Sequence, residues 1–199
     1  EALVGLQTLC LLLFLNGLQA QEVRVENNST IRIGVMLEDS LSVEARHGAE
    51  KAAKEINDKG GLQGREIELL FRSMEGPWGQ GSKQAVDLIF DQEVWALIGS
   101  NQGRNAHLVE QVIAKTSVVF ISAWTADPTL AKAYVPHFFN CVSNSEQQAE
   151  AILADLLGNK GITAWVLVSS PGYDSQKAVE GITSRSSFRQ NPPLDHFVC

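Results

Sequence analysis

Residues Val94 to Pro128 read VWALIGSNQGRNAHLVEQVIAKTSVVFISAWTADP, and their pattern decides the fold. An apolar strand, a polar turn, an amphipathic helix, a second apolar strand and a second polar turn follow one another. This order predicts parallel strands, whose carboxyl ends meet at one edge of a sheet, where ligands bind. We therefore expect Ser100–Arg104 and Ser122–Asp127 to form one half of a site for a small polar molecule.

The same alternation continues on both sides of this stretch. Predicted strands cover residues 31–37, 66–72, 94–99, 117–122, 162–168 and 193–198, with an extended segment at 137–142. Predicted helices cover residues 43–58, 83–92, 105–115, 127–133, 146–158 and 176–184. In the first helix, Ala45, Ala49, Ala52, Ala53 and Ile56 form the apolar stripe. Strands alternating with helices predict an α/β fold with a doubly wound parallel sheet.

The alternation also predicts the domain organisation. Residues 31–142 contain enough strands and covering helices for a complete first α/β lobe. Ser143–Glu146 has the form of a capping box and predicts the start of a new helix. Residues 143–199 contain too few elements to cover both faces of a sheet, so we expect the start of a second, truncated lobe. Residues 184–193 are polar and poorly patterned, typical of a linker or of a chain end.

The N-terminal residues differ from the rest of the chain. The apolar run LCLLLFL at Leu9–Leu15, followed by LQA at 18–20, predicts a signal peptide over 1–20, cleaved after Ala20. The run is shorter than the roughly 20 apolar residues that span a bilayer. Because the sequence starts at Glu1 without a basic region, we interpret the signal as clipped; a buried helix is the alternative. We expect residues 21–30 to be loose and the protein to be periplasmic or secreted.

Composition and motifs exclude several function classes. The chain has 199 residues, 44% hydrophobic, with a net charge of -7 and no basic blocks, which disfavours nucleic acid as a partner. The four histidines show no metal-ligand spacing, and no G-x-S-x-G elbow is present. Gly76–Lys83 lacks the order of a phosphate-binding loop. We therefore predict no catalytic residue, no metal and no cofactor. For Cys141 and Cys199 we expect two free thiols, and a disulfide between them is the alternative.

The two polar turns contain the candidate binding groups. The N–H groups and dipole of a helix that begins near Arg104 attract an anion such as a carboxylate, although an ordinary capped loop explains the turn equally well. In the second turn, Thr125 offers a hydroxyl, and Trp124 either contacts a ligand or fills the core. Asp127 precedes Pro128 and is expected to cap the short helix.

Four ordered blocks resemble a known family: IRIGVML, HGAEKAAKEINDKGGLQGREIELLF, KQAVDLIFDQEVWALIGS and VVFISAWTADPTL. They are similar to the first lobe of type I periplasmic solute-binding proteins of the leucine/isoleucine/valine-binding group, which serve ABC transporters. The resemblance covers residues 31–183. It implies a fold of two lobes, joined by a hinge, that close on an amino acid or a similar solute.

The resemblance also implies ligand-binding residues. The first turn would hold the ligand carboxylate, the second would bind its carboxylate and ammonium, and an aromatic residue of the second lobe would cover it. The first turn corresponds to Ser100, Asn101, Gln102 and Gly103. The second turn corresponds to Trp124, Thr125 and Ala126, and the covering aromatic residue corresponds to Tyr173. Trp124 departs from the family, which has a small residue there, so the pattern fixes the kind of site better than its ligand.

The predicted function is capture of a small amino-acid-like or amide-like solute between two lobes. Closure of the hinge would present the bound form to a membrane ABC permease. The alternative is the ligand-sensing ectodomain of a receptor, which has the same fold. An α/β enzyme is the weaker third hypothesis because the sequence contains no catalytic set of residues.

Overall fold

The computed structural model describes residues 30–39, 42–184, 190 and 192–199. The predicted signal peptide over 1–20 lies outside the described residues, as do residues 21–29 and most of the predicted linker. Cys141 and Cys199 are both free and exposed. No described helix has the length and apolar character needed to cross a bilayer.

Five parallel strands form the N-terminal sheet. They are β1 (Ile31–Leu37), β2 (Ile67–Ser73), β3 (Ala96–Gly99), β4 (Val119–Ser122) and β5 (Phe138–Asn140). Their order is β2-β1-β3-β4-β5, so the chain reverses its direction across the sheet between β1 and β3. A crevice forms outside the carboxyl ends of strands at such a reversal. The predicted parallel, doubly wound sheet is confirmed.

Helices cover this sheet and enclose its core. They are α1 (Val43–Asn57), α2 (Gln80–Val86, continued by a π-helical turn over Asp87–Asp91) and α3 (Gly103–Ile113). The core joins α2, α3 and the central strands through Leu88, Leu97, Val109 and Phe120, all fully buried. The Phe120 ring also packs against the Phe138 ring, with centroids 5.6 Å apart.

Helix α1 is covered less than its sequence pattern predicts. Ala53 is buried, but Ile56 is 39% exposed and Ala52 is also exposed, so the prediction that these two point inward is wrong. The physical reason is position, because α1 packs mainly on β2, the edge strand, and part of its apolar stripe extends past the sheet.

The C-terminal elements form a second, smaller sheet. They are α4 (Ser145–Leu153, continued by a π-helical turn over Ala154–Asn159), β6 (Leu167–Ser169), α5 (Tyr173–Thr183) and β7 (His196–Val198). Strand β6 pairs in parallel with β7. The strand predicted at 162–168 starts only at Leu167, and Val168 remains 61% exposed because little of the described chain covers this sheet.

The N-cap of helix α4 is Asn144 rather than Ser143, the first residue of the predicted capping box. The Gln147 N–H donates to Asn144 Oδ1 over 2.9 Å, and the Asn144 N–H donates to Gln147 Oε1 over 3.0 Å. These two bonds form a capping box with Asn144 as the N-cap. The side chain of Glu146, predicted for the reciprocal role, forms an ion pair with Lys132 instead, with Nζ and Oε1 2.7 Å apart.

Candidate functional site

A cavity of about 530 Å³ lies at the reversal point of the N-terminal sheet. Its walls come from the end of β1, the start of α1 and the turns after β3 and β4. The lining residues are Met36, Leu37, Glu38, Ser42, Glu44, Ala45, Asn101 and Trp124. Pockets for small ligands measure roughly 300–1,000 Å³ and combine apolar walls with a few polar groups. The cavity therefore has the size and the lining of a small-molecule site.

Glu38 lies at the carboxyl end of β1 and faces two cavities. It also lines a second one of about 290 Å³, which contains Trp78 and Arg104. The Asn105 side-chain amide donates to both carboxylate oxygens of Glu38, over 3.0 and 3.3 Å. Burial raises the pKa of Glu38, and the negative charges of Asp39 and Asp174 add to the effect, while the Asn105 bond and Arg104 oppose it. The environment of Glu38 therefore disfavours its ionised form.

The first predicted turn is hydrogen-bonded internally. The Ser100 hydroxyl is buried, donates to the Gln102 carbonyl over 3.0 Å and accepts from the Gln102 N–H over 3.1 Å. The Gly103 N–H donates to Asp174 Oδ1 over 2.8 Å. Asn101 is exposed and lines the larger cavity. Of the groups predicted to hold a ligand carboxylate, most already have partners inside the protein.

Asp174 occupies the place predicted for a ligand anion. It lies in the first turn of α5, and its carboxylate reaches the first residue of α3, so it faces the N-termini of both helices. Helix N-termini favour negative charge. Burial nevertheless raises the pKa of Asp174; the Gly103 hydrogen bond opposes this, and the charge of Asp127 adds to it. Gly103 is required here, because a Cβ would lie 2.7 Å from Asp174 Oδ1.

The second predicted turn, like the first, has one residue that lines the cavity and others that are hydrogen-bonded within the protein. Trp124 is 41% exposed and lines the larger cavity. Thr125 is buried, and its hydroxyl oxygen accepts from the Asp127 N–H over 3.3 Å. The Ala126 carbonyl accepts from the Ser145 N–H over 2.8 Å, which ties the turn to α4. The structure therefore places Trp124 at the open cavity, and Thr125 and Ala126 in the supporting frame.

A buried charge cluster lies under these turns, and the sequence reasoning missed it. His107 Nδ1 lies 3.0 Å from Glu110 Oε2, and His107 Nε2 lies 2.8 Å from Thr129 Oγ1. The Thr129 hydroxyl donates to Asp127 Oδ1 over 2.6 Å, so its oxygen can accept a hydrogen bond from the Nε2–H of His107. Asp127 Oδ2 is 3.4 Å from the same nitrogen. Both ring nitrogens therefore face acceptors, the arrangement of a protonated imidazole.

The pKa values of this cluster follow from the geometry. Asp127 and then Glu110 raise the pKa of His107 to about 9. Burial acts against ionisation of Asp127, but the bonds to His107 and Thr129 outweigh it and lower its pKa to about 2. The predicted role of Asp127 as a helix cap is incomplete. It accepts the Thr129 N–H over 2.8 Å, but the 3₁₀ helix Leu130–Ala133 has no side-chain cap.

Tyr173 is the first residue of α5, and it lies half-buried beside Asp127. Burial raises its pKa, as does the nearby Asp127 charge. The Lys177 ammonium lies 5.9 Å from the Tyr173 ring centroid. Tyr173 thus brings the N-terminus of α5 next to the charge cluster. Within the described ranges, no set of histidine, cysteine and acidic side chains is arranged to hold a metal ion.

A family model described as periplasmic binding protein matches residues 30–190. The chain belongs to this family. The predicted resemblance to the leucine/isoleucine/valine-binding group is confirmed, because binding proteins of that type are among its relatives and structural neighbours. The predicted type I fold of periplasmic binding proteins is confirmed in the same way.

Two kinds of protein are similar to this chain in sequence. Glutamate receptor 3.4 of Arabidopsis thaliana is 28% identical over 158 residues, covering 78% of this chain and 16% of the receptor. Leu/Ile/Val-binding protein BraC3 of Rhizobium johnstonii is 27% identical over 116 residues, covering 58% of this chain and 31% of BraC3. The chain thus spans less than a third of either relative.

Solved structures share the fold of this chain. LivJ of Streptococcus pneumoniae, a branched-chain amino acid transporter protein solved with isoleucine, matches with a TM-score of 0.73 at 20% identity. The match covers 86% of this chain and 50% of LivJ. A substrate-binding protein from Desulfitobacterium hafniense gives a TM-score of 0.74 at 21% identity, over 86% of this chain and 51% of that protein. At this identity the likeness shows the fold alone.

Proposed function

We propose that the protein is an extracytoplasmic binding protein that captures a small solute over the carboxyl edge of the N-terminal sheet. One observation carries the proposal: a cavity of about 530 Å³ opens where the strand order reverses, in the fold of a binding family. Ligands of open α/β sheets bind outside the carboxyl ends of strands at such a point.

The predicted residues fill two roles in this proposal. Asn101 and Trp124 would contact the solute directly, because both line the cavity. The other predicted residues of the two turns would hold these walls in place through hydrogen bonds within the protein. They are Ser100, Gln102, Gly103, Thr125 and Ala126. Tyr173 would approach from the C-terminal elements and cover the cleft.

The mechanism would be closure of two lobes, 31–142 and the unit that begins at 143. A solute that contacts both lobes only in the closed state shifts the population toward that state. The closed form would then be recognised by a membrane ABC permease. Support comes from the relatives, since the reported names of the solved neighbours describe substrate-binding proteins of ABC transporters, one of them with isoleucine bound.

A receptor ectodomain is the second candidate function. Of the sequence relatives described above, the plant glutamate receptor covers the larger share of this chain. The test is the location of the full-length protein after cell fractionation. Recovery with integral membrane proteins supports the receptor, whereas recovery in the soluble extracytoplasmic fraction supports delivery to a transporter.

A thermal-shift screen of the full-length protein tests the capture of a solute. The screen should contain amino acids, amides, amines and aromatic acids, so that cationic, neutral and anionic solutes are all represented. A true ligand at 100 times its dissociation constant should add roughly 2.7 kcal/mol of stability. If none of these solutes changes the melting temperature, the proposed function is wrong.

A pair of tryptophan variants then locates the site. Trp124→Ala should lower the affinity for the ligand found in the screen by about tenfold or more, as expected when an aromatic side chain packs against a bound ligand. Trp95→Ala is the matched control, because Trp95 is 58% exposed, stacks against Arg65 and does not line the cavity. Equal affinities of the two variants would place the solute elsewhere.

A further inference from the structure

The larger cavity has an unbalanced charge. Among the described residues that line it, Glu38 and Glu44 carry carboxylates, and none is lysine, arginine or histidine. Its other lining groups are apolar side chains, a hydroxyl, an amide and the Trp124 indole. A carboxylate that enters this space meets negative charge in a partly desolvated environment, which is unfavourable. A positively charged group meets attraction from the same side chains.

Glu38 is the carboxylate that a cation would stabilise most. It is half-buried, and its described hydrogen-bond donor is the neutral Asn105 amide. Asp39 and Asp174 add negative potential at Glu38, whereas the Arg104 guanidinium opposes it from the smaller cavity. An ionised carboxylate that is partly removed from water gains from a direct cationic partner.

Trp124 adds a second element of cation recognition to the same cavity. Its exposed indole lines the wall shared with Glu38. The face of an indole ring carries negative potential and attracts ammonium groups, more strongly when water is excluded. A carboxylate and an indole that line one cavity together favour an organic cation over an organic anion.

The place predicted for a ligand carboxylate is meanwhile filled by the protein itself. Asp174 accepts the Gly103 N–H at the start of α3, and the Ser100 hydroxyl is bonded to Gln102. A solute carboxylate would have to displace Asp174 to reach these donors. The negative group that the family resemblance assigns to the ligand is supplied here by the chain.

We infer that the solute is recognised in the larger cavity through a protonated amine held between Glu38 and Trp124, with Asp174 replacing the ligand carboxylate at the N-terminus of α3. The inference rests on the proposed function and names the class of its solute. The relevant solutes are amines, including amines that carry no carboxylate. Their apolar part lies along Met36, Leu37 and Ala45.

Two matched sets of solutes test this inference by calorimetric titration of the full-length protein. The branched set is leucine, 3-methylbutan-1-amine, 4-methylpentanoate and 4-methylpentanamide. The aromatic set is phenylalanine, 2-phenylethylamine, 3-phenylpropanoate and 3-phenylpropanamide. In the set that binds, the simple amine should bind at least about tenfold more tightly than the simple carboxylate, as a charge-assisted contact requires.

The possible results separate the inference from the proposed function. Tighter binding of the carboxylate than of the amine overturns the inference and leaves solute capture intact. The inference is also overturned, and solute capture is left intact, if the wider thermal-shift screen finds only ligands without a cationic nitrogen. A protein that binds no solute in either experiment overturns the proposed function, and the inference with it.

Variants of two glutamates test whether Glu38 contacts the amine. Glu38→Gln removes the charge but keeps an oxygen that accepts from Asn105, so it should weaken the amine about tenfold and leave the neutral amide unchanged. Glu55→Gln is the control, because Glu55 lies on α1, is 59% exposed and does not line the cavity. Unchanged amine affinity in a Glu38→Gln protein that unfolds at the same temperature as the parent removes Glu38 from the site.

Discussion

The two sides of the candidate cleft use their hydrogen-bonding groups differently. At the N-terminus of α3, Ser100 and Gly103 are bonded to groups of the same chain. At the end of β1, Glu38 faces an open cavity and is bonded to a neutral amide. A polar group that is already paired holds the structure in place, whereas one that faces a cavity leaves its strongest partner to be supplied by a ligand.

Gly103→Ala should have the largest effect on the paired side. The new Cβ would meet Asp127 and would lie 2.7 Å from Asp174 Oδ1, so the two carboxylates must move. We expect a loss of about 3 kcal/mol in the free energy of unfolding, measured by urea denaturation. Gly48→Ala on α1 is the control, because no atom lies within 4 Å of its Cβ position. Equal stability of the two variants would show that the contact at Gly103 is not tight.

His107→Ala should have the next largest effect. It removes the imidazole between Asp127 and Glu110 and leaves Glu110, which is 2% exposed, facing an empty space. Removing one member of a buried ion pair destabilises a protein strongly; with His107 partly exposed, we expect about 2 kcal/mol. His47→Ala on the exposed face of α1 should change stability by less than about 0.5 kcal/mol. A small effect at both histidines would contradict the importance of the cluster.

The same cluster predicts how stability depends on pH. The pKa of His107 rises from 6.5 to about 9 on folding, so its contribution is complete below pH 6.5 and is lost as the pH rises through about 9. The pKa of Asp127 falls from 3.8 to about 2, so its contribution is present above pH 3.8 and is lost as the pH falls toward 2. The cluster should therefore stabilise the protein most between pH 3.8 and 6.5.

Urea denaturation at pH 6 and pH 10 checks the alkaline side, where we expect a loss of about 1–2 kcal/mol from the cluster. The His107→Ala variant should lose less stability over this range, because it has no imidazolium to deprotonate. An identical alkaline loss in the parent and the variant would assign the pH dependence to other groups.

Asp174→Ala should have the smallest effect on stability, about 1 kcal/mol, because it removes one hydrogen bond across the cleft. Its effect on binding is more informative. The freed Gly103 N–H can donate to a solute anion, so the affinity for 4-methylpentanoate should increase relative to that for 3-methylbutan-1-amine. Asp155→Ala, on an exposed carboxylate after α4, is the control. An unchanged ratio of affinities would mean that Asp174 does not occupy an anion site.

Much of the fold follows from periodicity in the sequence. The residues of β3 and β4 are buried or half-buried along the whole strand, as are those of β1 apart from Arg32, as central parallel strands require, so their approximate positions could be predicted. Burial and strand length at the edges of the sheets were harder to predict. The stripe of α1 extends past β2, and the strand predicted at 162–168 is short, because burial depends on neighbours that the local pattern does not contain.

The site was predictable as a location but not as a set of partners. The turns after β3 and β4 do lie at the cleft, because chain order fixes which strand ends meet. The bond from Gly103 to Asp174 joins residues 71 positions apart, and no spacing rule predicts it. His107 and Glu110 lie at i and i+3 on α3, a spacing visible in the sequence, but the third member, Asp127, is fixed only by the tertiary fold.

The most direct test is a crystal structure of the full-length protein with the solute that gives the largest thermal shift. The account predicts a cationic nitrogen of the solute within hydrogen-bond distance of the Glu38 carboxylate, beside the Trp124 indole. Asp174 should still accept the Gly103 N–H. A solute carboxylate bound to that N–H, with Asp174 displaced and Glu38 not in contact with the solute, would contradict the account.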